Sequence, residues 1–147
     1  MTMRLKLYTL LCASFLFLFT SCNQDDDPVP PEAGSKTVLV YIVADNSLAS
    51  FAKEDVEEMI EGMKLVGSSS CNLLVYQDDR NTPVLFRIAK DKKGNVEKEI
   101  IKEYAEQVST DVSVMKEVMH RTFYEYPADS YGLVYWSHAD GWIPYPV

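Results

Sequence analysis

Apolar residues in this chain fall into two periods. Thr37 to Val43 and Asn72 to Gln77 are runs of β-branched, aliphatic and aromatic residues bounded by polar ones. Such runs predict strands buried on both faces, the pattern of a parallel sheet. Between them Ala52, Val56, Met59, Ile60 and Met63 recur at spacings of three and four, with Glu54, Asp55, Glu57, Glu58 and Glu61 on the remaining positions. That spacing predicts an amphipathic helix. Ala44-Asp45-Asn46-Ser47 supplies a strand-to-helix turn with an N-cap, and Gly67 with the serines after it stops the helix. Strand, helix and strand form one βαβ unit.

Asp78 to Pro83 reads as a polar loop. Val84–Ala89 and Val96–Ile101 flank Asp91-Lys92-Lys93-Gly94-Asn95, which predicts a hairpin, polar enough to lie at the sheet edge. Val114, Met115, Val118, Met119, Thr122 and Phe123 mark a second amphipathic helix behind Ser109-Thr110-Asp111, ended by Tyr126-Pro127. Tyr131 to Ser137 is the third core strand, and Asp140-Gly141 turns the chain after it.

The N-terminal 22 residues follow a different logic. Arg4 and Lys6 precede an apolar stretch from Leu7 to Phe19, then Thr20-Ser21-Cys22, the layout of a secretory signal. The stretch is shorter than the roughly 20 residues that span a bilayer. Phe-Thr-Ser-Cys resembles a bacterial lipobox, with Phe19 where Leu is usual, which implies that Cys22 is lipidated and becomes the mature N-terminus. Residues 22–36 are then an acidic, proline-containing tether. Asp25-Asp26-Asp27 is similar to the export signal of Bacteroidetes surface lipoproteins, and equally suits a solvated linker. The expected organisation is a signal over 1–21, a tether over 22–36 and a globular part over 37–147, anchored at the outer membrane or cell surface.

Removing residues 1–21 takes Arg4 and Lys6 and lowers the formal charge from −8 to −10. An acidic chain is a poor match for nucleic acid, whose phosphates are bound by Lys and Arg; it suits a cationic peptide or simply solubility. Cys12 leaves with the signal and Cys22 takes the lipid, so Cys71 stands alone and no disulfide framework exists.

Candidate chemistry centres on His138, which leaves the third core strand at its C-terminal end, where open parallel sheets place their ligands. Its imidazole could act as general acid or base, as a metal ligand, or as a strand-end residue without chemistry. His120 is 18 residues away in a helix and no Cys-x-x-Cys exists, so neither a metal site nor a cofactor is expected. Cys71 opens the second strand, whereas His138 closes the third. A strand of five or six residues separates those ends by on the order of 15–20 Å, so the two do not pair and Cys71 reads as a small buried hydrophobe. Asp45 and Asn46, at the end of the first strand, share the edge of His138, as do Asp78 and Asp79; turn roles account for all four equally well. Trp136 reads as core, and Trp142 as a wall of a cleft.

Thr37 to Leu48, the acidic helix after it and, above all, Tyr126-Pro-Ala-Asp-Ser-Tyr-Gly-Leu-Val-Tyr-Trp-Ser-His-Ala-Asp-Gly-Trp142 resemble the N-terminal part of clostripain-family cysteine peptidases. The resemblance implies an α/β fold, a caspase-like α/β/α sandwich with a mostly parallel sheet, incomplete at the C-terminus, and a His-Cys dyad cleaving peptides after Arg or Lys. It carries over His138 as the catalytic residue. Where the family usually has Gly after the histidine, Ala139 stands here; its backbone N–H still serves an oxyanion hole, though its methyl group crowds the site. Asp45, Asn46 and Trp142 are candidates for the site edge. The family's nucleophilic cysteine lies at the end of the next core strand, which the sequence to Val147 does not reach. The expectation is thus an N-terminal fragment, inactive without its thiol. The alternative is a lipid-anchored binding or adhesion protein on a peptidase-like scaffold.

Overall fold

The computed structural model describes residues 35–66, 71–91 and 93–139. The signal segment, Cys22, the tether as far as residue 34, Asp140-Gly141 and Trp142 lie outside the described residues. Seven elements follow in order: β1 (Lys36–Val43), α1 (Ala49–Leu65), β2 (Cys71–Asp78), β3 (Val84–Lys90), β4 (Val96–Glu103), α2 (Val112–Glu125) and β5 (Ser130–Trp136).

The strands form one sheet in the order β4-β3-β2-β1-β5. β1 pairs in parallel with both β2 and β5, while β2–β3 and β3–β4 are antiparallel. All strands except β3 therefore run one way, the mostly parallel α/β architecture that the apolar runs predict. The β3–β4 hairpin turns through Gly94 at φ 88°, a left-handed conformation that glycine takes without steric cost. Asp91 Oδ1 accepts from the backbone N–H of Lys93 and of Asn95. Only β4 of this hairpin is an edge strand. β3 lies inside the sheet and buries Leu85, Phe86 and Ile88.

Alternation along β1 divides the core. Val40 and Ile42 face α1 and pack with Ala52, Val56 and Met63, whereas Leu39 and Tyr41 face α2 and pack with Leu74, Tyr76 and Val118. Helices on both faces are what bury a strand completely, hence the unbroken apolar run of β1. α2 is capped by Asp111, whose side chain accepts from Ser113 N, and it ends at Tyr126 ahead of Pro127 as its sequence requires.

Four expectations are corrected. β5 is not buried: it lies at the edge of the described sheet, as the reading of an N-terminal fragment predicts, and Tyr131, Leu133, Val134 and Tyr135 are 42–50% exposed. Its composition is that of an interior strand, and composition does not say which neighbour is present. The N-cap of α1 is Leu48, without a side-chain cap bond; Asn46 acts instead two residues earlier, its Oδ1 accepting from Leu48 N at 2.8 Å. Cys71 is half-buried rather than fully buried. The fold also begins before Thr37, since Ser35 is buried and its carbonyl accepts from Ser130 N at the start of β5.

Candidate active site

The parallel register brings the C-terminal ends of β2, β1 and β5 to one edge. Val43 lies level with Asp78, and Ile42 with Trp136. Asp45 and Asn46 after β1, Asp78 and Asp79 at the end of β2, and His138 after β5 therefore share that edge, as their strand positions predict. Cys71 does not. It is level with Lys36 and Ser130 at the opposite end, and the length of β5 alone puts about 20 Å between it and the histidine at 3.3 Å per residue.

His138 is exposed, and the two residues before it are tied down. Trp136 Nε1 donates to Asp55 Oδ2 of α1 at 2.7 Å, and the Ser137 hydroxyl donates to the carbonyl of Val43 at 3.1 Å. These bonds fix the exit of β5 against α1 and β1, so the imidazole projects from a braced strand end rather than from a free loop. The ring meets Ser47, whose Oγ is 3.1 Å from Nε2. Ser47 sits in the β1–α1 loop, which Asn46 holds through its bonds to Leu48 N and from its N–H to the carbonyl of Ala44. Asn46 thus shapes the loop that carries Ser47. Sequence reasoning treats Ser47 only as turn and cap material. The available signal is its place two residues after Asp45, on the edge that receives the histidine.

Asp78 is the second residue whose place the sequence does not convey. It closes β2 rather than opening a solvated loop, and it is buried. Burial raises its pKa above the usual carboxylate value; a hydrogen bond from Ser109 opposes the shift, and the charges of Glu106, Asp45 and Asp79 add to it. Asp45 itself is exposed. Among the described residues no group of three or more His, Cys, Asp or Glu side chains could hold a metal ion, and no helix is long and apolar enough to cross a membrane.

A braced imidazole at the C-terminal edge of a helix-covered parallel sheet is an arrangement of α/β hydrolytic enzymes, and the comparisons specify which. Residues 40–146 match the model of the peptidase C11, clostripain family. A cysteine protease from B. fragilis is 55% identical, with a TM-score of 0.72 over 78% of this chain and 97% of that one. A secreted C11 cysteine protease from Bacteroides thetaiotaomicron, solved with an irreversible peptide inhibitor, is 56% identical with a TM-score of 0.70, over 77% of this chain and 32% of that one. An inactive zymogen C11 protease from Parabacteroides distasonis is 34% identical at a TM-score of 0.70, over 80% of this chain and 34% of that one. The chain thus spans nearly all of the first and about a third of the other two. No curated protein matches it. This chain belongs to the clostripain family of cysteine peptidases, with the fold of the C11 proteases.

Proposed function

We propose that this protein contributes the histidine half of a cysteine endopeptidase site, with His138 as the general base that takes the proton of a thiol located outside the described residues. The observation that carries this reading is the imidazole itself, braced at the C-terminal sheet edge and hydrogen-bonded through Nε2. A ring held by one nitrogen offers the other to a nucleophile. The Ala139 N–H follows directly and is the candidate oxyanion donor; Asp45, Asn46 and Trp142 are candidates for the site edge. The substrates are peptides or proteins cut after Arg or Lys, in keeping with the acidic character of the chain. Without the thiol, the described residues alone do not turn over.

The same proposal includes a signal over residues 1–21, a lipidated Cys22, a tether to residue 36 and display at the bacterial outer membrane or cell surface. The Bacteroides relative described as secreted supports an exported protein. Two measurements test this. The complete gene product should cleave arginyl or lysyl fluorogenic peptides and leave alanyl and glutamyl ones intact; equal rates on all four would remove the assigned specificity. Cys22→Ser should abolish incorporation of labelled palmitate and release the protein from the membrane fraction. The second reading, a binding protein on this scaffold, is favoured by the distance of Cys71 from His138, and a gene product that binds basic peptides without cutting them would establish it.

A further inference from the structure

The sheet edge opposite His138 has a different make-up. β1, β2 and β5 begin there, level at Lys36, Cys71 and Ser130. β3 runs against β2, with Ile88 level with Leu73, so its end at Lys90 reaches the same edge. The C-terminal end of α1 reaches it too, because Lys90 Nζ donates to the carbonyls of Lys64 and Val66 at 2.9 and 2.5 Å. Lys36, Lys64, Lys90 and Lys93 are all exposed. Beside Lys64, Leu65 is 89% exposed and Val66 37%.

Charge is unevenly spread between the two edges of this chain, whose formal charge is −8. On the His138 side, Asp45, Asp78 and Glu106 line one cavity. On the opposite edge the carboxylates are Glu61, Asp91, Glu97 and Asp129. Glu61 lies one turn back along α1 and pairs with Lys64. Asp91 accepts from Lys93 N and from the backbone and side-chain N–H of Asn95, which turns its oxygens into the hairpin. Glu97 is level with Ala89, and Asp129 precedes β5. The four lysines stand against these four, so this is the edge that an anionic surface repels least. Their long stems also carry the ammonium groups further out than a carboxylate reaches.

We propose that this edge docks on a bilayer, with Lys36, Lys64 and Lys93 at the phosphates of anionic lipid headgroups and Leu65 in the interface. Lys90 offsets the last carbonyls of α1, which would otherwise oppose an anion. The proposal rests on the anchoring at Cys22 proposed above, which brings the bilayer to this side. Ser35 is buried and its carbonyl accepts from Ser130 N, so residues 22–34 enter the fold here. A segment of that length spans about 20 Å as a coil and about 45 Å fully extended. To bring the His138 edge to the membrane instead, the tether must run back along the eight residues of β1, about 25 Å. The near edge is the one that a short tether delivers. A few lysines and one leucine hold a free domain weakly, yet they orient a tethered one, whose second contact is intramolecular. Docked in this way, His138 faces away from the bilayer, toward peptides in solution.

The test is hydrogen–deuterium exchange of residues 23–147 held by an N-terminal hexahistidine tag on vesicles with a nickel-chelating lipid. The tag supplies the bilayer, so the outcome is separate from lipidation at Cys22. On vesicles containing phosphatidylglycerol, early exchange over residues 60–66 and 88–96 should be at least ~2-fold lower than on phosphatidylcholine vesicles, with residues 43–48 and 76–81 unchanged. Lys36→Glu with Lys93→Glu should remove most of that difference, and Leu65→Ser should weaken the protection by about 2-fold. All three side chains are exposed, so the variants keep the fold. Equal exchange on the two lipids would overturn the proposal, as would protection at 43–48 and 76–81 in place of the named segments. So would protection without vesicles that Asp25→Asn, Asp26→Asn and Asp27→Asn together abolish, which would make the acidic run of the tether the occupant.

Discussion

The hydroxyl of Ser47 lies 3.1 Å from Nε2 of His138 and joins two residues 91 positions apart. This contact links the β1–α1 loop to the exit of β5 and supplies the histidine with an orienting partner. If Nε2–H donates to Ser47 Oγ, Nδ1 keeps its lone pair for a thiol proton; if the hydroxyl donates, the roles reverse. The catalytic reading requires the first arrangement when the approaching thiol faces Nδ1. Ring ¹⁵N shifts of neutral His138 should therefore show mainly the Nε2–H tautomer. Ser47→Ala should mix the tautomers, and Ser47→Thr should restore the bias. A tautomer ratio unchanged in Ser47→Ala would make the contact incidental.

Asp55 should matter to stability because it accepts the indole N–H of Trp136 at 2.7 Å. Bonds to a charged acceptor are stronger than neutral ones, and both groups here are half-buried. Asp55→Ala should lower unfolding free energy by about 1–2 kcal/mol in urea titration, while Asp55→Asn, which keeps an acceptor, should lose less than about half of that.

Asp78 sets a pH dependence of definite sign. Burial raises its folded-state pKa above the unfolded value of 3.8, so the folded protein holds that proton more tightly. The stability this contributes is complete below about pH 3.8 and is lost as pH rises through the folded pKa. Asp78→Asn removes the penalty. In the absence of a cationic ligand, its urea midpoint should exceed that of the wild type at pH 7, and the difference should shrink toward pH 4. A constant difference across that range would contradict the assignment.

β5 presents Val134 at 47% and Tyr135 at 49% exposure along an edge whose outer hydrogen-bonding groups have no strand beside them among the described residues. Flat apolar edges pair with other chains. The 147-residue chain should self-associate at micromolar concentration in light scattering, and Val134→Lys should shift it toward monomer without loss of far-UV ellipticity.

The sequence makes the sheet legible because its strongest signals are physical necessities. The unbroken run of β1 exists because helices cover both faces, and the alternation of Val40 and Ile42 with Leu39 and Tyr41 divides the core between them. The shared edge of Asp45, Asp78 and His138 follows from parallel direction alone. The residues of β5 encode a neighbour on each side, and the described sheet gives it one, so its apolar side chains are exposed where composition alone reads them as buried. Ser47 and the burial of Asp78 are missed for a related reason: both residues occupy positions where turn chemistry is a sufficient explanation. What distinguishes them is a contact 91 residues away in one case and a buried, unpaired oxygen in the other. Neither is a local property of the sequence.

The most direct test of the account is the hydrolysis of an arginyl fluorogenic peptide by the complete gene product, compared with its His138→Ala variant at matched folded concentration. Loss of the general base should cut kcat/KM by about 10²–10⁴-fold while leaving the melting temperature nearly unchanged, because the imidazole is exposed. Equal rates for the two proteins would contradict a catalytic His138.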